Sequence, residues 1–198
     1  MSISTFSELK AAVLDFSHRG DMSARVENFI ALCESDMQVR CKLQEFEASG
    51  SVSITAGVGT LPTGFSSMRS VYWDGNLDKP LKYVTPDLLD LKRNSAGTGV
   101  YYTISAGQIL IAPASDGTVV MRYSARFTAL SDTNTTNTLL SNYPDAYLHG
   151  TLMQLHSFAN DDKAAQKAAV LYEAAIERIK TDNRDKKYAG VALEVRAR

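Results

Sequence analysis

Apolar positions recur along this chain first with the spacing of a helix, then with that of a strand, then with that of a helix again. Thr5-Phe6-Ser7-Glu8 has the capping-box spacing, in which hydroxyl and carboxylate each satisfy an amide at a helix start. Phe6, Leu9, Val13 and Phe16 then share one stripe, so a first helix is expected to reach His18 and stop at Gly20. A second helix is expected from about Ser23 to Gln44, with Val26, Phe29, Ile30, Cys33 and Met37 on one face and Arg25, Glu27, Glu34, Arg40 and Lys42 away from it. The two form an antiparallel pair.

From about Glu45 the period becomes two, as in Ser51-Val52-Ser53-Ile54-Thr55, and Gly57 to Gly59 supplies a turn before Leu61-Pro62. Further strands are expected at Arg69 to Trp73, Leu81 to Val84, Val100 to Ser105, Gln108 to Ala112 and Thr118 to Phe127. Asp74-Gly75-Asn76, Ala106-Gly107 and Ser115-Asp116-Gly117 are the turns between them. One short helix interrupts the strands, with Thr85 as N-cap and Pro86 in its first position. Ser131 to Thr138 is almost wholly Ser, Thr, Asn and Asp and reads as a surface loop closing the β region.

Pro144 opens a helix whose Tyr147, Leu148, Leu152, Met153, Leu155 and Phe158 cover more than one face, the pattern of a helix packed among others. Asp161 or Asp162 caps the alanine-rich last helix, with Val170, Leu171, Ile176 and Ile179 as its apolar positions. After Gly190 the alternation Val191-Ala192-Leu193-Glu194-Val195-Arg196 is not helical, and the eleven residues from Tyr188 would span about 35 Å if extended. Two readings stay open for this segment, a strand added to a neighbouring chain and a frayed end. The expected fold class is α+β: an antiparallel helical bundle of two N-terminal and two C-terminal helices, an embedded antiparallel β domain and an extended C-terminal arm. In residue numbers these are 1–45, 46–138, 139–187 and 188–198, the second being the β insertion and the last the arm.

Composition narrows the function classes. With 198 residues the chain suits one domain or one domain carrying an insertion, and 44% hydrophobic with 22% charged residues is the balance of a folded globular protein. The net charge of -1, from 21 basic and 22 acidic residues, provides no long-range field to attract nucleic acid or an anionic membrane. The N-terminus lacks the apolar core of a signal peptide and no run of about 18 apolar residues occurs, so synthesis in a host cytoplasm is expected. Cys33 and Cys41, eight residues apart on one predicted helix, would be separated by about 12 Å and so could not bridge.

Candidate chemistry is sparse. His149 and His156 lie seven residues apart, about 10 Å along a helix, too far for one ion without a third element. Gly57-Val58-Gly59 and Gly97-Thr98-Gly99 precede strands, without the helix or lysine of a phosphate-binding loop. No Gly-x-Ser-x-Gly elbow marks a nucleophile, and Asp87 with Asp90, or Asp161 with Asp162, sit where helix starts favour carboxylates. No catalytic, cofactor-binding or metal-ligating residue is therefore assigned. Lys180, Arg184, Lys186, Lys187, Arg196 and Arg198 face only Asp182, Asp185 and Glu194; a solvated helix end and a docking site for an acidic partner are both open. Tyr72, Trp73, Tyr83, Tyr101 and Tyr102 are explained by strand propensity, though a sugar-stacking platform is an alternative.

Taken in order, these features resemble the phage head-to-tail adaptor family found beneath the portal in short-tailed phages. The resemblance spans nearly the whole chain. It rests on Thr5-Phe6-Ser7-Glu8-Leu9, Arg25-Val26-Glu27-Asn28-Phe29-Ile30-Ala31-Leu32-Cys33-Glu34 up to Arg40, and the strand ending in Leu61-Pro62. It continues in Pro80-Leu81-Lys82-Tyr83-Val84-Thr85-Pro86, Tyr102-Thr103-Ile104, Gln108 to Pro113, Tyr123 to Leu130, and Leu139-Leu140 before Tyr143-Pro144-Asp145-Ala146-Tyr147-Leu148-His149-Gly150. What the resemblance implies is a structural virion protein without enzymatic activity or cofactor. It would assemble as a ring, a dodecamer in the virion, between the portal and the tail, with genomic DNA passing through unread. The implied partners are the portal, tail nozzle or tube proteins, and neighbouring copies; no membrane is involved. The portal and neighbouring subunits would be met by the arm residues Tyr188, Val191, Leu193, Val195, Arg196 and Arg198, and the tail by loops carrying Arg93, Asn94, Thr133 and Asn134. Two alternatives remain, a head- or tail-completion protein of a long-tailed phage and a carbohydrate-binding tail module using Tyr72, Trp73 or Tyr102.

Overall fold

The computed structural model describes residues 3–188. The fold is α+β, with six α-helices and seven strands among the described residues. The chain divides into two compact units, residues 1–44 together with 127–198, and residues 45–126.

The capping box forms as its spacing requires: Glu8 N–H donates to Thr5 Oγ1 at 3.3 Å, and Thr5 N–H donates to the Glu8 carboxylate at 3.0 Å. From there α1 (Phe6–Ser17) buries Phe6, Leu9 and Val13. Phe16 is 57% exposed, contrary to its place on the predicted stripe, and forms a wall of an open groove. After a 3-10 turn, Gly20–Arg25, comes α2 (Val26–Arg40), shorter than predicted at both ends. Beyond Arg40 the chain leaves the helix, burying Cys41 and Leu43 and exposing Lys42 and Gln44, and a 3-10 turn, Gln44–Phe46, follows. Asn183 makes this possible, because its side chain accepts from Gln44 N–H at 2.8 Å and donates to the Lys42 carbonyl at 3.4 Å, replacing the helical bonds given up. Glu34 is a second correction: expected on the polar face of α2, it is 6% exposed.

The β unit contains β1 (Glu47–Ile54), β2 (Val58–Thr60), β3 (Phe65–Trp73), β4 (Lys82–Tyr83), α3 (Pro86–Lys92), β5 (Tyr101–Ser105), β6 (Gln108–Ala112) and β7 (Gly117–Ala125). One sheet has the order β1-β7-β3 and the other β2-β6-β5-β4. A tight turn at Ala56-Gly57, both with positive φ, joins β1 to β2 and so links the sheets. Val52 and Ile54 of β1, Val71 of β3, Ile109 and Ile111 of β6 and Val119 and Met121 of β7 meet in one core. The expected antiparallel order holds except at β4, which pairs with β5 in parallel. Parallel neighbours need a crossover, and α3 with the loop after it provides one.

The chain returns to the helical unit through a polar segment into α4 (Thr138–Asn142), α5 (Pro144–Phe158) and α6 (Asp162–Tyr188). Pro144 occupies the first turn of α5, and Asp161 accepts from Ala164 N–H at 3.2 Å to cap α6. In α5, Ala146, Tyr147, Leu148, Leu152 and Leu155 are buried, and the helix packs on α1, α2 and α6. On α6, Tyr172, Ile176 and Ile179 face this core, whereas Val170 and Leu171, predicted as core positions, are 69% and 40% exposed.

Candidate interaction surfaces

The β unit has a cleft of about 380 Å³ whose lining includes Trp73, Lys79, Leu81, Lys82, Val100 and Tyr101. Its wall is fixed by hydrogen bonds. Trp73 Nε1–H donates to the Gly99 carbonyl at 2.6 Å, and Gly99 N–H donates to Ser115 Oγ at 2.8 Å. Gly99 is required there, since a Cβ would lie 2.2 Å from Ile111 Cγ2 and 2.8 Å from the Pro113 carbonyl oxygen. Tyr72, next to Trp73 on β3, lines a different pocket with Ser49, Leu77 and Arg122, as alternation along a strand dictates. Tyr102 is buried, with its ring 5.6 Å from that of Tyr83. The aromatic residues considered as a sugar platform are therefore split between surfaces and core.

The helical unit has an open groove of about 430 Å³ lined by Phe16, Leu152 and Leu171 together with all three histidines, His18, His149 and His156. Burial holds His149 below the ordinary imidazole range, against the pull of the Asp145 carboxylate. His156 Nδ1 lies 4.0 Å from the Asp161 carboxylate. Among the described residues no group of three or more His, Cys, Asp or Glu is arranged to hold a metal ion. Both thiols are free and buried, and burial pushes Cys41 up to about 11 and Cys33 higher still, so neither is a thiolate at neutral pH. Outside the groove, Leu32 (54% exposed) and Val39 (72%) stand seven residues apart on α2, on the side away from its buried stripe.

Among the described residues these surfaces bring together no metal-binding group and no thiolate. The family model described as SU10 adaptor protein matches residues 4–196. The chain belongs to the SU10 adaptor protein family. No curated protein matches it. The resemblance to phage adaptors is thereby established, and the chain is a structural adaptor of a phage particle, with the head-to-tail junction as its implied place and portal and tail proteins as its implied partners. No helix among the described residues is long and apolar enough to cross a membrane.

In this adaptor the residues singled out from the sequence fall at separate places. Tyr188 is the last residue of α6 and not the first of an extended arm; it is exposed, with Lys187 Nζ 5.7 Å from its ring. Val191, Leu193, Val195, Arg196 and Arg198 lie outside the described residues. Much of the basic cluster is matched within α6, Lys180 with Glu177 at 2.7 Å, Lys186 with Asp182 at 2.8 Å and Arg184 with Asp185 at 3.8 Å. Lys186 first, and the Tyr143 hydroxyl after it, hold the Asp182 carboxyl below the usual carboxylate range.

Arg93 and Asn94 are exposed where α3 ends, in the β unit. Thr133 and Asn134 belong to the helical unit, so the two predicted loops are in separate bodies. Thr133 is exposed, but Asn134 is half-buried and holds the loop together: Nδ2 donates to the Ala129 carbonyl at 2.7 Å and N–H donates to Ser131 Oγ at 3.0 Å. The same loop is tied to α1, where Phe6 N–H donates to the Thr135 carbonyl at 2.7 Å and Lys10 Nζ contacts Asp132 at 3.2 Å. Sequence reasoning passed over Lys79 and Lys82, which flank Pro80-Leu81 at the Trp73 cleft; two lysines bracketing a proline beside a lone tryptophan were the available signal.

Proposed function

We propose that the adaptor works as one subunit of a closed ring, dodecameric in the virion, seated between portal and tail, through which genomic DNA passes during packaging and ejection without being read. The observation that carries this reading is the family match over residues 4–196. A closed ring needs two different complementary sides on each subunit. The outward Leu32 and Val39 and the groove containing Phe16 and Leu171 are apolar surfaces of the helical unit suited to that need. Tyr188 at the end of α6, with Val191, Leu193, Val195, Arg196 and Arg198 after it, would meet the portal and a neighbouring copy. The loops carrying Arg93, Asn94 and Thr133 would face tail proteins, with Asn134 holding its loop in shape.

Mass photometry tests the reading: the protein alone, the protein with the portal of the same phage, and a variant ending at Lys187 with that portal. A discrete portal-bound species of many copies, lost on truncation, is expected. A truncated protein that still binds portal removes the role given to the arm, and absence of any portal complex removes the ring.

A further inference from the structure

Lys79 and Lys82 line the Trp73 cleft, no carboxylate lines it with them, and neither lysine forms an ion pair or side-chain hydrogen bond with another described residue. Asp74 and Asp78 are near in sequence, yet neither reaches the lining. The rest of the lining is mainly apolar, with Asn76 and Thr98 as its uncharged polar side chains: Pro80, Leu81 and Val100, the last 51% exposed, stand with the Trp73 indole, whose only N–H is already engaged by the Gly99 carbonyl. Tyr101, also in the lining, carries Lys92 Nζ 4.6 Å from its ring centre. The cleft adjoins β4, the last strand of its sheet, so one edge of Lys82–Tyr83 has no neighbouring strand.

We propose that this cleft is a docking site for an extended acidic segment of a partner protein, with one apolar side chain seated against Trp73 and Val100 and carboxylates on both sides of it meeting Lys79 and Lys82. An indole whose donor is satisfied offers a sugar or a base only its ring, whereas an aliphatic side chain uses the wall as it stands. Unpaired lysines at the rim give such a segment its sign preference and its orientation. The inference rests on the adaptor reading in one respect, that the partner is a tail protein of the same particle.

The sole tryptophan of the chain is in the cleft, so its fluorescence reports binding there directly. The probe is an acetylated, amidated peptide Glu-Asp-Ile-Asp-Glu, with Gln-Asn-Ile-Asn-Gln as its neutral counterpart, titrated into the full chain. Saturable change with the acidic peptide, weakened about tenfold or more in Lys79→Glu/Lys82→Glu and less in Lys79→Gln/Lys82→Gln, is expected, together with a fall in affinity as salt rises. Both lysines are exposed, so the variants should keep the far-ultraviolet circular dichroism of the parent. Equal responses to the two peptides, or an acidic response that ignores charge reversal, overturn the proposal. Tighter quenching by single-stranded oligothymidine overturns it in favour of a nucleic-acid groove. Portal binding by the same variants separates the two levels: charge reversal should leave any portal complex intact while abolishing recruitment of tail protein. If the parent binds the acidic peptide but no portal, the adaptor reading fails and the cleft stands.

Discussion

Two residues in the helical core carry chemistry that helical spacing alone misreads. Glu34 is buried and forms no ion pair with another described residue; its carboxylate accepts from Leu130 N–H and from the Tyr147 hydroxyl, each at 2.9 Å. Burial is the larger effect and raises its pKa above the ordinary glutamate value, the two hydrogen bonds opposing. Folded protein therefore binds a proton more readily than unfolded protein, and the contribution of Glu34 to stability falls as pH rises from the unfolded to the folded value. Glu34→Gln keeps an acceptor for both donors without the charge, so its stability relative to the parent should increase from pH 4 to pH 7 in urea titrations. A pH-independent difference would show that Glu34 is not penalised by burial. Glu34→Ala leaves two buried donors unpaired and should cost about 1–3 kcal/mol. Gly150 is the second such residue, because a Cβ there would lie 2.4 Å from Cys33 Sγ and 2.8 Å from the Tyr172 ring. Gly150→Ala should destabilise by about 1–3 kcal/mol despite its helix propensity, and adding Cys33→Ala should recover part of that loss. Strict additivity of the two changes would place the clash elsewhere.

At the scale of elements, the sequence was most legible where a local signal and the packing agree. The Thr5-Phe6-Ser7-Glu8 box, Pro144 at the start of α5 and the strand Gln108–Ala112 needed nothing from distant residues. Boundaries decided by distant partners could not be read. The end of α2 depends on Asn183, far along the chain, and the parallel direction of β4 depends on where α3 returns β5. The Trp73 cleft was hidden for the same reason, since β3, the Lys79 to Lys82 segment and Gly99 meet only in the folded unit. Asn137 combines both kinds of information. Its Oδ1 caps α4 by accepting from Leu140 N–H at 2.8 Å, as its position before Thr138 suggests, while its Nδ2 donates to the Thr128 carbonyl at 3.1 Å and to the Tyr147 hydroxyl at 2.7 Å. Asn137→Asp retains the cap and loses both donations. It should therefore free the segment around Thr128 to limited proteolysis while costing less stability than Asn137→Ala, which also loses a cap valued at about 1 kcal/mol. Equal protease susceptibility in Asn137→Asp and the parent would show that the loop is held by Asn134 and Lys10 alone.

For the whole molecule, the question is which surfaces survive assembly unchanged and which are consumed by it. Leu32 and Val39 are exposed on α2 opposite its buried stripe, so the isolated subunit gains little from their being apolar. Single exposed hydrophobic residues are ordinary, but two in register on one helix, on a chain of an adaptor family, fit a contact between copies. The paired substitution Leu32→Glu/Val39→Glu distinguishes these situations. Because neither side chain contributes to the core, the thermal midpoint of the free subunit should move little, the stability change staying within about 0.5 kcal/mol per site. If the stripe lies between neighbouring subunits, each copy brings two buried carboxylates to an apolar seam, and the penalty repeats at every interface of the ring. Mass photometry should then show a free subunit like the parent and portal-bound species that are smaller or absent, with the defect deepening in dilute protein as mass action requires. Portal-bound species of unaltered mass and occupancy would place the subunit contacts on another face, with the groove containing Phe16 and Leu171 as the next surface to change.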